Sequence, residues 1–114
     1  MYIRTKDGVY EVKREEILCG VKFYDVEDDE HLNRIREEQI IDQSENLDEL
    51  CDEFVLYDNQ LKTYGVFDKK VITFKWIQNH STIYKGMTIY GAIWTSKGLI
   101  YVAKMNENGE LVLI

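Results

Sequence analysis

Apolar and polar residues alternate near both ends of this chain, and the alternation breaks in the acidic stretch between. The opening MYIRTKDGVYEV holds two short alternating runs on either side of Asp7-Gly8, a pair suited to the positive φ of a tight hairpin turn. GVKFYDV, from Gly20 to Val26, sets Val21, Phe23 and Asp25 against Lys22, Tyr24 and Val26, which predicts a third strand with one face buried. FVLYD and KTYGVF read as strands joined through a turn at Asp58-Asn59. VITFKWIQ reads as a further strand with Ile72, Phe74 and Trp76 on one face, followed by the polar connection NHSTIYKG. The strongest β signal closes the chain: TIYGAIWT, a turn at Ser96-Lys97-Gly98, LIYVAKM, a turn over residues 106–109, and ELVLI.

Helical spacing occurs only in the middle. Between Asp28 and Gln43, Leu32 and Ile35 fit one turn of helix, while Ile40 and Ile41 suit a short strand. ENLDELCDEF, residues 45–54, is more regular. Leu47, Leu50, Cys51 and Phe54 recur at i, i+3, i+4 and i+7, and Asp48, Glu49, Asp52 and Glu53 fall on the opposite side. Asn46 with Glu49 three residues on resembles a capping box, and carboxylates in a first turn suit the positive end of a helix dipole. The expected fold is α+β: mainly an antiparallel sheet or small open barrel, one or two short helices including one around 47–54, and a C-terminal β-meander. With 114 residues, no proline and no low-complexity linker, residues 1–114 form a single expected domain.

Charge changes this picture. The net charge is −7, but residues 25–53 hold 13 acidic and 2 basic side chains, a balance of −11, while the remainder holds 8 acidic and 12 basic, or +4. Such a chain repels nucleic-acid phosphates, so direct nucleic-acid binding is disfavoured and the basic surface of another protein is the expected partner. The candidate contacts are Asp28, Asp29, Glu30, Asp48, Glu49, Asp52 and Glu53. The competing reading leaves these charges facing water, as charge runs on helices usually do.

The search for reactive chemistry is less productive. Cys19, His31, Cys51 and His80 have none of the spacings of structural zinc sites, and the acidic run has no calcium-loop pattern, so neither metal nor cofactor is expected. Both cysteines read as reduced core thiols. Glu11-Val12-Lys13 ends like a nuclease motif, but only Asp7 stands upstream; phosphate loops and nucleophile elbows are missing too, which points away from an enzyme. No apolar run reaches the length of a membrane span, and no leader-like opening is read, so a cytosolic protein is expected. Tyr90, Trp94 and Tyr101 with Lys97 and Lys104 suit either a stacking platform for single strands or cross-strand packing, and packing is the commoner use.

MYIRTKDGVYEV, IIDQSENLDELCDEFVLYD and YGAIWTSKGLIYVAKMNENGELVLI together resemble small proteins of phages and prophages of low-GC Gram-positive bacteria. That resemblance implies a bacterial cytosol and a small binding protein, and it carries no catalytic residues over. In such a setting the acidic segment reads more sharply, as an inhibitor's surface that imitates nucleic acid before a host or defence protein, an anti-CRISPR-like protein being one form. The alternative is a regulatory or housekeeping phage protein that binds nucleic acid through its aromatic and basic β face.

Overall fold

The computed structural model describes residues 1–26, 34–80 and 82–114. Strands β1 (Tyr2–Arg4) and β2 (Val9–Glu11) form the expected N-terminal hairpin, and β6 (Asp42–Ser44) pairs antiparallel with the other side of β1. A second small sheet has the order β3-β4-β5, from Arg14–Leu18, Val21–Asp25 and Arg34–Arg36. The main sheet has five antiparallel strands: β7 (Glu53–Asp58), β8 (Thr63–Asp68), β9 (Met87–Thr95), β10 (Gly98–Met105) and β11 (Leu111–Leu113), in the order β11-β10-β9-β7-β8. All three sheets are open, and the C-terminal meander lies where the alternation placed it.

Period-two geometry lets β1 and β2 serve two cores at once. Ile3 and Tyr10 are directly paired and join Tyr24 and Ile35 in a small cluster with Met1, Val12, Val26 and Ile40. Tyr2 and Val9 turn the other way, into the main core. That core lies on the inner face of the five-stranded sheet, where Phe54, Leu56, Ile89 and Ile93 meet Leu47, Leu50, Cys51, Phe74 and Ile77. Each fully buried aliphatic or aromatic side chain here contributes about 1.5–3 kcal/mol.

The segment read as a strand at Ile72, Phe74 and Trp76 is instead an α-helix, α1 (Phe74–Asn79). Thr73 caps it, its hydroxyl accepting from the Trp76 N–H at 3.1 Å. Helical spacing brings Phe74 and Ile77 together into the core, with the Phe74 ring 5.7 Å from that of Phe54, and leaves Trp76 outside to stack on His80. Six residues are too few for a helix to hold on propensity alone, so these two anchors keep it folded.

In β4 the buried residues are Tyr24 and Asp25, neighbours on opposite faces, while Val21 is exposed; the expected one-sided burial through Val21 and Phe23 does not occur. Asp25 is fully buried because Arg14 Nε and Arg34 Nε donate to its two carboxylate oxygens at 2.9 and 3.1 Å. Residues 34–44, where the sequence allowed a turn of helix and a short strand, form β5, a 3₁₀ turn at Glu37–Gln39 and β6. Leu32 lies outside the described residues.

Candidate interaction surface

The acidic segment is not a two-turn amphipathic helix. One 3₁₀ turn spans Leu47–Leu50, Cys51 is already extended at φ −81° and ψ 148°, and Glu53 and Phe54 belong to β7. The apolar stripe reaches the core as expected, but Leu47 and Leu50 do so from the turn and Phe54 from a strand. Asn46 forms no side-chain cap to the backbone. Its Nδ2 donates instead to Glu49 Oε1 at 3.3 Å, and the Ser44 hydroxyl donates to Glu49 Oε2 at 2.6 Å. Those two bonds, Ser44 first, hold the Glu49 pKa below the ordinary range.

The chain leaves the helix because Asp52 is stitched into the sheet. Its N–H donates to the Ala92 carbonyl at 2.8 Å, and its carboxylate takes a bidentate bond from Arg4 Nη1 and Nη2 at 2.6 and 2.7 Å. The Trp94 N–H donates to the same carboxylate at 2.8 Å, and Arg4 Nη1 also donates to the Leu50 carbonyl. Arg4 is paired directly with Val9 of β2 and shares its face of the hairpin, which aims its guanidinium at the main sheet. Burial alone would raise the Asp52 pKa, but Arg4 and the Trp94 N–H together hold it below the usual carboxylate range. Continuing the helix through Asp52 would break all of these bonds.

Glu53 is also engaged, accepting from Trp94 Nε1–H at 3.1 Å. Asp48 is half-buried, and desolvation followed by the Glu49 charge raises its pKa. Of the seven carboxylates singled out from the sequence, Asp28, Asp29 and Glu30 lie outside the described residues, and Asp48, Glu49, Asp52 and Glu53 do not form one solvated face. Of these four only Glu49 is exposed, and further exposed carboxylates belong to Glu37, Glu38, Asp42 and Glu45.

Neither cysteine is arranged for chemistry. Cys51 is fully buried and its thiol lies 3.6 Å from the Leu47 carbonyl; burial, then the charge of Asp48, pushes its pKa up to about 12. Cys19 is exposed, contrary to its reading as a core thiol, because it sits at φ 52° in the tight turn between β3 and β4. Among the described residues, no three His, Cys, Asp or Glu side chains are gathered as metal ligands would be. His80 stacks on Trp76, its Nδ1 2.8 Å from the Trp76 carbonyl, and His31 lies outside the described residues. No described helix is long and apolar enough to cross a membrane.

The broad unfilled surface is elsewhere, on the outer face of the five-stranded sheet. Directly paired residues of antiparallel strands point to the same face, so the pairing registers map this surface in rows. One row runs across all five strands: Val66, Val55, Tyr90, Lys104 and Val112. Beside it run Asp68, Glu53, Ala92 and Tyr101 on one side and Tyr64, Tyr57 and Thr88 on the other, with Trp94 opposite Leu99 at the far end.

Tyr90 and Tyr101 stack at 4.7 Å between ring centroids and help to close over the buried Ala92. Around them Tyr64 is 68% exposed, Trp94 56% and Tyr101 47%, with Val66 and Val112 also exposed. Helix α1 and the 3₁₀ turn pack on the opposite, inner face. The aromatics that read as cross-strand packing do pack in part, Val55 beside them is fully buried, and Tyr64, Trp94 and Tyr101 carry apolar surface outward among Lys104, Glu53 and Asp68. The sequence signal for it was period-two alternation with large residues at both phases, as in Ile89, Tyr90, Ile93 and Trp94.

Comparison with protein-family models, with curated proteins and with solved structures finds no match to this chain.

Proposed function

We propose that this chain is a non-enzymatic binding protein that acts by covering a surface of another protein, and that it makes contact through the outer face of the five-stranded sheet. The partner class is a host or defence protein, in the phage setting that the likeness of its terminal and central segments implies. One observation supports this reading above the others: large apolar side chains, among them Tyr64, Trp94 and Tyr101, stand exposed across one face of the sheet. Aromatic residues on a fixed scaffold bind with little loss of side-chain freedom, which suits them as anchors. Imitation of nucleic acid by the acidic segment has less support, since Asp52 and Glu53 spend their oxygens on Arg4 and Trp94.

A second reading, a stacking platform for single strands, is favoured by the Tyr90–Tyr101 pair beside Trp94, with Lys104 in the same face. Glu53 and Asp68 share that face, however, and a net charge of −7 opposes phosphates.

Two variants separate the surfaces. Tyr64→Lys with Trp94→Lys alters only the outer face, and Glu37→Lys with Glu38→Lys and Glu45→Lys alters only the exposed acids. Each is immobilised beside the wild type and used to capture protein from a bacterial lysate, with far-ultraviolet circular dichroism as the fold control. Loss of a captured protein by the first variant and its retention by the second is the expected result. The reverse pattern would contradict the proposal, and binding of labelled single-stranded oligonucleotide by the wild type would favour the second reading.

A further inference from the structure

We propose that two copies of this chain pair edge to edge along β8, antiparallel about a two-fold axis at Gly65, joining their five-stranded sheets into one. In the sheet order β8 is an end strand. It pairs with β7 over six residues in unbroken register, so one side of its backbone is satisfied. Among the described residues, no backbone hydrogen bond outside that pairing involves residues 63–67. A straight row of N–H and C=O groups therefore lies along the free side.

Proteins usually blunt such an edge with a bulge, a proline, a central charge or a very short strand. The other sheet edges of this molecule follow that practice. β3 carries Arg14, Glu15 and Glu16, β5 is Arg34-Ile35-Arg36, β6 is Asp42-Gln43-Ser44, and β2 and β11 have three residues each. β8, Thr63-Tyr64-Gly65-Val66-Phe67-Asp68, has none of these devices inside it. Exposed Leu61, Tyr64, Val66 and Val71 lie on or beside this strand, which puts apolar surface where the edge is open.

Charge selects a second copy as the occupant, and it also selects the register. For the two outer faces to stay on one side, facing residue numbers must sum to an even value. A two-fold at Gly65 sets Lys62 against Asp68 at both ends, Tyr64 against Val66 on the outer face and Thr63 against Phe67 on the inner. A two-fold at Val66 would oppose Lys62 to Lys70, and one at Tyr64 would leave Asp68 facing Gln60. Among the described residues neither Lys62 nor Asp68 forms an ion pair within its own chain; Asp68 Oδ1 accepts the Lys70 N–H at 2.8 Å. β8, together with Lys62, the turn residue at φ 54° that directly precedes it, is thus complementary to itself in one register, as an isologous contact requires. The association does not depend on what the outer face binds.

Sedimentation velocity between about 1 and 500 μM tests it, a range that spans weak and moderate self-association. The wild type is expected to shift from monomer to dimer, and Lys62→Asp and Asp68→Lys each to weaken that shift by about tenfold or more. An equimolar mixture of the two variants is expected to associate again, because each altered chain then meets the opposite charge at both junctions. Amide exchange of the wild type at residues 64–67 should also slow as concentration rises, a readout that needs no substitution. A wild type that stays monomeric throughout, a dimer indifferent to both substitutions, a mixture of folded variants that does not associate, or exchange unchanged by concentration would each overturn the proposal.

Discussion

Asp52 and Trp94 are joined by a 2.8 Å hydrogen bond, yet the carboxylate is the more enclosed of the two, 28% exposed against 56% for the indole residue. The regions around them differ in the same sense. At the start of β7 the acids are drawn inward because Arg4 and the Trp94 N–H donate to Asp52, much as Arg14 and Arg34 draw Asp25 inward in β4. On the outer face of the same sheet Tyr64, Trp94, Tyr101, Val66 and Val112 stay exposed. Polarity set the exposure of these residues less than the supply of partners did. An acid with two or three donors is cheaper to enclose than an aromatic residue with no partner.

Removing the partners is the severest way to break the contrast. Asp52→Ala leaves the Arg4 guanidinium largely buried without its counter-charge, beside an Nε that already has no acceptor. The expected loss is about 2–4 kcal/mol, near the lower part of the range for a broken buried pair because both side chains keep some solvent. Urea unfolding with tryptophan fluorescence measures it. On the outer face, Tyr64→Lys should change stability by no more than about 0.5 kcal/mol, as for an ordinary surface site. Comparable losses at the two sites would contradict the contrast.

The packing beneath the acidic turn gives the next largest effect. A Cβ on Gly91 would lie 2.6 Å from Cys51 Sγ, so Gly91→Ala must displace the Cys51 side chain or the backbone beside it. A cost of about 1–3 kcal/mol is expected from overpacking. Cys51→Ala in the same chain should recover part of it, and a double-mutant cycle by thermal unfolding reads the coupling. In the native wild type, Cys19 should react with iodoacetamide at pH 8 while Cys51 does not, since only the first is exposed and the second has its pKa pushed up to about 12.

Acid should remove what the enclosed carboxylates contribute to stability. Asp25 and Asp52 both have folded pKa values below their ordinary value. The unfolded chain therefore binds protons first as pH falls, and their contribution, complete above about pH 5, is lost progressively through pH 4 and below. Unfolding free energy measured against pH should fall over that window, with a shallower slope for Asp52→Asn. Asp48 runs oppositely: its raised pKa means its charge opposes folding near neutrality, so Asp48→Asn should gain a little stability, about 0.5 kcal/mol or less.

Much of the strand order was legible because alternation and turn residues agreed: Asp7-Gly8 and Asn108-Gly109 lie in connections between paired strands, and Asp58-Asn59 and Ser96-Lys97-Gly98 mark where strands meet their turns. The errors came where one pattern serves two structures. Leu47, Leu50 and Cys51 suit an α-helix, and equally a single 3₁₀ turn followed by a strand that delivers Phe54 to the same core. Ile72, Phe74 and Trp76 alternate, but Thr73 is a capping residue and Phe74 with Ile77 has helical spacing; those signals describe the structure. β3 gave no signal, since Arg14-Glu15-Glu16 at an edge buries neither face well. The enclosure of Asp52 has a cause that composition does not reveal, namely that Arg4, 48 positions away, closes on it.

Site-directed photocrosslinking in living bacteria gives the most direct test of the outer face as the contact surface. A benzophenone side chain is placed singly at Tyr64, Trp94 or Tyr101, and for comparison at Glu37, Asp42 or Glu45, all exposed positions on different sides of the molecule. The account predicts that a shared crosslinked protein appears from the three outer-face positions and not from the acidic ones. Crosslinks to a common protein from Glu37, Asp42 and Glu45, with none from Tyr64, Trp94 or Tyr101, would contradict it and return the binding role to the carboxylates.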